Sequence, residues 1–421
     1  MIHKLALSSL AIVALTGCYE QVLVPDDESD GRIEITNDEF ELDQRVSYPE
    51  SDVPINAPPA AEANGPAAAG PARAPASISL TLLAEAVPPI VAGQPVQATS
   101  VWLNSESKAV VSYNLRGSAA LGALDYFIQL TKKTPKLLST AVFLDTDINA
   151  VSMDGTFAYA AQASSDVALA SPAVLERLRF LGNKFTLDGN LQAQLPSFAA
   201  TSTVSTGSII YATSGNAGSV VALDANDLSV LGEYALEDAR WVAWDQAGGR
   251  IVVAQGTPGR LSVFEEGVFP GGSMNLIATH SFPGADVAES KSTVEIHGGK
   301  AFVAAGPEGV QIVCLDNGQI VGSVPRPDPA SVGLDPSVVV TNSVTVQDDL
   351  MFISNGEAGV YAAAAEDSFE TSACDDPQDV TVLGSLQFGL LQSVNHVVYR
   401  NEYLYVAAGL GGIKIVEVEL N

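Results

Sequence analysis

The chain has 421 residues, with 49 acidic against 20 basic side chains and a formal charge of −29. A surface this acidic repels phosphate backbones, so nucleic acid is a poor partner. Only three cysteines are present, too few for a dense disulfide framework and never paired at metal-ligand spacing.

The first residues carry a targeting pattern. Lys4 gives a basic start, and Leu5–Leu15 is an apolar run too short to span a bilayer but suited to a signal-peptide core. Small residues Thr16 and Gly17 then precede Cys18. Leu15-Thr16-Gly17-Cys18 resembles the bacterial lipobox. That resemblance implies a signal peptide over residues 1–17, cleavage before Cys18, and attachment to a membrane through lipids on Cys18. The other reading is an ordinary signal peptide with an incidental cysteine. Tyr19 stands where an Asp would suggest retention at the inner membrane. A cell-envelope location is therefore expected, at the outer membrane where the cell has one, on its periplasmic or surface side. No later run of about 18 apolar residues follows.

Residues 19–52 carry twelve acidic side chains against Arg32 and Arg45, and residues 53–76 carry six prolines and ten alanines. Neither part has a periodic apolar pattern. Residues 18–76 are expected to be a lipid anchor and a disordered linker, acidic and then Pro/Ala-rich. Such a linker would act as a stalk and be dispensable for the fold.

From Ser77 onward, short β-rich runs alternate with Gly, Asn and Asp turns. An internal repeat is visible in "GSIIYATSGNAGSVVALDANDLSVLGEYAL" from Gly207 and "GKAFVAAGPEGVQIVCLDNGQIVGSVP" from Gly299. It recurs in "DLMFISNGEAGVYAAAAED" from Asp349 and "EYLYVAAGLGGIKIVEVEL" from Glu402. Each copy has an aromatic-containing strand b, a Gly-rich turn and an apolar strand c. Weaker copies begin at Gly155, Gly249 and Lys108. A strand a is predicted before each pair, over Gln97–Leu103, Ile148–Met153, Thr201–Thr206, Arg240–Trp244, Ser292–His297, Asn342–Gln347 and Ser393–Tyr399. A strand d follows six of them, over Lys136–Phe143, Leu191–Ser197, Leu228–Leu236, Asn275–Phe282, Gln319–Val324 and Val380–Phe388. The repeat of about 42 to 52 residues is the span of a four-stranded propeller blade. Seven copies predict an all-β, seven-bladed β-propeller of antiparallel blades over residues 77–421. Pro172–Gly189 is either a short helix or strand c of the second blade. The seventh blade lacks a strand d, and Ile78–Val87 is expected to supply it by pairing with Ile413–Glu419.

Tyr403–Glu419, "YLYVAAGLGGIKIVEVE", and Ala301–Asp316, "AFVAAGPEGVQIVCLD", are similar to the repeat of bacterial LVIVD-repeat propeller proteins. The match is good from Gly207 onward and poor over Ser77–Ser197. It implies a surface or periplasmic propeller. Trp244-Asp245 is a "WD" pair, but it is expected in the turn after strand a. WD-repeat proteins carry the pair at the end of strand c.

Catalytic and metal signatures are missing: no zinc-protease histidine pair, nucleophile elbow or phosphate loop is found. No cofactor motif occurs, so neither cofactor nor metal is expected. The acid runs "LDTDIN" (Leu144–Asn149) and "LDANDLS" (Leu223–Ser229) read as turns, since neither holds a full calcium ligand set. His280, His297 and His396 are the histidines downstream of residue 17. Aligning the blades places Asn149, Arg240, Trp241, Thr293, Ser343, Asn395 and His396 at the starts of the innermost strands, around one mouth of the central channel. Such a ring is either a ligand site or a set of polar groups satisfying strand starts. Cys314 ends strand c of blade 5, and Cys374 lies in the c–d loop of blade 6. The two are free to form a disulfide in an oxidising compartment. The leading expectation is a non-enzymatic scaffold for a protein or polysaccharide partner. The alternatives are a hydrolase or lyase, or a small-ligand sensor, at the channel mouth.

Overall fold

The computed structural model describes residues 25–57 and 78–420, apart from 105–106, 285–286, 288–289 and 390–391. Apolar and β-branched residues dominate the runs between turns, and these runs pair in sequence order into seven four-stranded antiparallel blades. The innermost strands are Gln97–Leu103, Thr146–Met153, Ala200–Ser205, Ala239–Asp245, Val294–His297, Ser343–Gln347 and His396–Arg400. The core lies between neighbouring blades rather than within one. Val252, Leu261 and Val263 of blade 4 pack on Ala301, Val303 and Val313 of blade 5. Phe302 and Ile312 of blade 5 pack on Met351 and Tyr361 of blade 6. The turn glycines of the repeat are required by close approach. A Cβ on Gly309 (φ 71°) or Gly412 (φ 70°) would meet the carbonyl oxygen of Val324 or Ala86 at 2.0 Å.

Two sequence expectations change, the start of strand d in blade 2 and the place of Trp244-Asp245. Of the two readings of Pro172–Gly189, strand c is the one observed. Ala173–Leu181 is strand c of blade 2, and a turn at Gly182-Asn183 starts strand d at Lys184, seven residues before the expected Leu191. Trp244 and Asp245 end strand a of blade 4 instead of lying in the turn after it.

A larger correction concerns residues 25–57, expected to be part of a disordered linker. They form an ordered arm on the outside of the ring. Its elements are β1 (Asp27–Ser29), β2 (Ile33–Thr36), α1 (Glu39–Asp43), β3 (Val46–Ser47) and β4 (Ser51–Asp52). β2 pairs antiparallel with strand d of blade 1, and Ile33 and Ile35 are buried there. β3 and β4 pair with β5 (Ile78–Ala86), and Asn56 bridges to Ser385 of blade 6. Arg32 pairs with buried Glu176 of blade 2. Arg45 pairs with Asp125 of blade 1 at 2.5 Å. One acidic segment thus links blades 2, 1, 7 and 6. Residues 58–77 and 1–24, which hold the rest of the linker and Cys18, lie outside the described residues. No helix among the described residues is long and apolar enough to cross a membrane.

β5 supplies the strand d that blade 7 lacks, pairing antiparallel with Ile413–Leu420 from Ile78↔Leu420 to Ala86↔Ile413. Cys314 and Cys374 are joined by a disulfide with a Cα–Cα distance of 5.1 Å. It fixes the c–d loop of blade 6 against blade 5. Lys300 reinforces it by donating to the carbonyls of Ser372 and Ala373 at 2.8 and 3.3 Å.

Candidate functional site

Because strands alternate in direction, the d–a and b–c connections of every blade meet at one end of the ring. Strand a begins there, so this end carries the mouth read from the sequence. The mouth opens into a cavity of about 690 Å³ lined by Asn114, Asn149, Phe198, Asp238, Trp241 and Lys291 among others.

Most of the polar ring joins blade to blade. Thr99 donates to the Ile148 carbonyl at 3.0 Å, Asn149 to Ala200 at 2.8 Å, Thr201 to Ala239 at 2.8 Å, and Asn395 to Ala98 at 2.8 Å. Arg240 does the same work toward blade 5, donating to the carbonyls of Val287 and Ser290 at 2.8 and 3.1 Å. Its guanidinium also pairs with Asp238 at 2.8 Å. A second layer runs the other way, with side chains accepting from backbone N–H groups. Ser100 accepts from Val151, Ser343 from Val397 at 3.2 Å, Thr345 from Tyr399 at 3.0 Å, and His396 Nδ1 from Val101 at 3.4 Å. These bonds satisfy inner-strand groups that the crowded axis shields from water.

Of the seven candidate residues, Asn149, Arg240 and Trp241 line the mouth. Thr293 and His396, with Trp241 again, line a second cavity deeper in the channel. Ser343 and Asn395 line neither. Trp241 stacks on His396 with ring centroids 5.2 Å apart, and Trp241 borders both cavities while His396 borders only the deeper one. Burial, then the nearby Lys291 charge, pulls the His396 imidazole down to about 3. It is therefore neutral at physiological pH, with Nδ1 occupied.

Several residues of the channel escaped the sequence reading. Lys291 crosses from blade 5 to donate to the carbonyls of Thr99 and Asn149 at 2.8 and 3.0 Å, and burial draws its ammonium down to about 7. It sits one residue before the aligned column, in a d–a connection that alignment of strands does not reach. At the far end of the channel, Glu295 is held between Arg400 of blade 7 at 2.6 Å and His297 at 2.8 Å. Burial alone would raise its carboxyl. Arg400 and His297 outweigh burial and bring it down to about 2. A depressed carboxylate contributes stability that is present above its ordinary value of about 4.3 and is lost as pH falls toward 2. Glu295→Gln should therefore flatten the acid limb of unfolding free energy between pH 4.5 and 2, measured by urea titration against the parent chain. An unchanged acid limb would refute the pairing.

The acid runs differ from the turn reading in one place. Asp147 lies in strand a of blade 2 and accepts from the Leu115 and Leu121 N–H groups of blade 1 at 3.2 and 3.3 Å, whereas Asp224 accepts from Asn226 at 2.8 Å within its own turn. Among the described residues no cluster of three or more His, Cys, Asp or Glu is placed to hold a metal.

No family model matches the chain, and no curated protein matches it. Among solved structures, it is similar to a chain of "Crystal Structure of Mitotic Checkpoint Complex". Identity is 9%, the TM-score is 0.53, and the match covers 84% of this chain and 96% of that one. The computationally designed Ika8 protein matches at 9% identity and TM-score 0.46, over 78% of this chain and 98% of its own. At such identity the first likeness is one of fold alone.

Proposed function

We propose that the chain is a non-enzymatic protein-binding scaffold, held at the cell envelope through a lipid on Cys18, with its partner seated on the mouth-bearing end of the ring. The observation that carries this is where large apolar side chains meet solvent. Val87, Ile90, Val167, Phe198 and Leu410 are exposed in d–a or b–c connections, Val167 at 99% and Phe198 at 60%. At the opposite end the described a–b and c–d connections expose no large apolar side chain, and the exposed Val230, Ile320 and Leu420 there sit singly on strand ends of blades 3, 5 and 7. Exposed apolar side chains on the same end as the cleft, with Phe198 in its lining, suit a protein interface, where aromatic anchors are surrounded by a polar rim. The anchor rests on the lipobox-like Leu15-Thr16-Gly17-Cys18, which lies outside the described residues.

The hydrolase or lyase alternative has less support. Arg240 is committed to Asp238 and two carbonyls, and His396 is a neutral acceptor already in use. A histidine general base needs a free ring nitrogen with a pKa near the working pH, and Lys291, drawn down to about 7, has its ammonium committed to two carbonyls.

A photo-crosslinking benzoylphenylalanine in place of Phe198 should give discrete protein adducts in irradiated cells. The same probe at Ile277, on the outer strand of blade 4, should give none. Cys18→Ser should abolish fatty-acid labelling and release the chain from membranes. Equal adducts at both positions, adducts only to polysaccharide, or unchanged labelling would overturn the respective parts of the proposal.

A further inference from the structure

All three tryptophans of the chain, Trp102, Trp241 and Trp244, line the deeper channel cavity. Its volume is about 340 Å³, room for a one- or two-ring compound at the small end of ligand pockets. Valines from several inner strands, Val101, Val204, Val294, Val344 and Val397, complete an apolar wall. The indoles are held in place. Trp244 donates Nε1 to Glu266 at 2.6 Å, and Trp241 is stacked on His396.

Two polar groups in this wall are suited to a ligand. Thr293 is 2% exposed, and its buried Oγ1 has no hydrogen-bond partner. A buried hydroxyl without a partner is costly, and a ligand acceptor would relieve that cost. His396 accepts at Nδ1 from the Val101 N–H, which assigns its proton to Nε2 as a donor. Charge is not on offer, since Arg400 at the cavity edge is met by Glu295.

We propose that this cavity is a binding site for a small, neutral, planar aromatic molecule carrying one hydrogen-bond acceptor. Its rings lie among the three indoles, and its acceptor meets Thr293 and His396. The site shares only Trp241 with the lining of the mouth cavity, and the proposal does not rest on the scaffold reading. Aromatic walls favour stacked or edge-on rings over aliphatic ligands of equal size.

Coumarin, a neutral two-ring lactone, is a direct probe, and the indoles report its binding. Titrating the full chain with coumarin should quench tryptophan emission saturably, with one site by calorimetry. Thr293→Val keeps the side-chain shape and removes the hydroxyl, and should weaken binding roughly tenfold. Ala243→Phe fills the cavity and should abolish saturable quenching, with folding checked by melting temperature. If Ala243→Phe does not fold, Thr293→Val decides alone. Quenching that grows linearly with coumarin, or a dissociation constant unchanged by Thr293→Val, overturns the proposal.

Discussion

Replacing Arg45 by Met will lower the unfolding free energy by about 3–5 kcal/mol, the usual cost of leaving one member of a buried ion pair alone. Arg45 donates Nη1 to Asp125 Oδ1 at 2.9 Å and to Thr140 at 2.8 Å, and Nη2 to Asp125 Oδ2 and to the Val87 carbonyl. Asp125 is fully buried in strand c of blade 1. Without the guanidinium, its carboxylate keeps the desolvation cost and loses its bidentate partner. Arg45→Met combined with Asp125→Leu should recover most of the loss, because an apolar pair of similar volume has no charge to strand. Urea titration measures both. A loss below about 1 kcal/mol, the range of surface pairs, would show that the arm is not docked as described.

The arm also shows where composition misleads. Twelve acidic residues and a Pro/Ala tail look like chain that cannot bury a core, and by itself that segment cannot. Its partners lie far away in sequence. Ile33 and Ile35 are buried on strand d of blade 1, more than a hundred residues later. The signal was present in the exceptions. Arg32 and Arg45 are the two basic residues of the acidic stretch, and each meets a buried carboxylate, Glu176 and Asp125.

The blades were far more legible, because each repeat carries its own turn glycines and period-two strands. The predicted Gln97–Leu103 and Lys136–Phe143 match the observed strands residue for residue. The polar column at the strand starts was legible as a column. Its main role, joining one blade to the next, needs the geometry of neighbouring strands. Trp102 and Trp241 fall in predicted innermost strands and Trp244 at the end of one, yet strand assignment alone does not say that the three meet around one cavity. Lys291 lies in a connection, where no repeat constrains the reading.

Deleting the chain through Val87 is expected to abolish the soluble monomer, whereas deleting only residues 1–57 should leave a soluble ring with a lowered melting temperature. The difference is β5. It contributes the outer strand of blade 7, and its Leu80, Leu83, Ala84 and Ala86 are buried. Burying Leu80 and Leu83 alone is worth about 3–6 kcal/mol at about 1.5–3 kcal/mol per side chain. β5 also covers the edge of Ile413–Leu420 through eight register pairs and places Glu85 2.5 Å from Lys414. Removing it exposes an apolar edge strand, which templates association between chains. It also leaves β3 and β4 with nothing to pair on, so the arm loses its hold on blade 7. The two truncations differ in length as well as in this strand, so a permuted chain isolates the cause. Residues 78–87 moved by a short Gly/Ser linker to follow Asn421 should restore the monomer on size exclusion, since the strand then reaches the same edge from the other direction in sequence. Equal monomer yields from both truncations, or no rescue by permutation while the 1–57 deletion folds, would mean that the ring does not depend on this strand for closure.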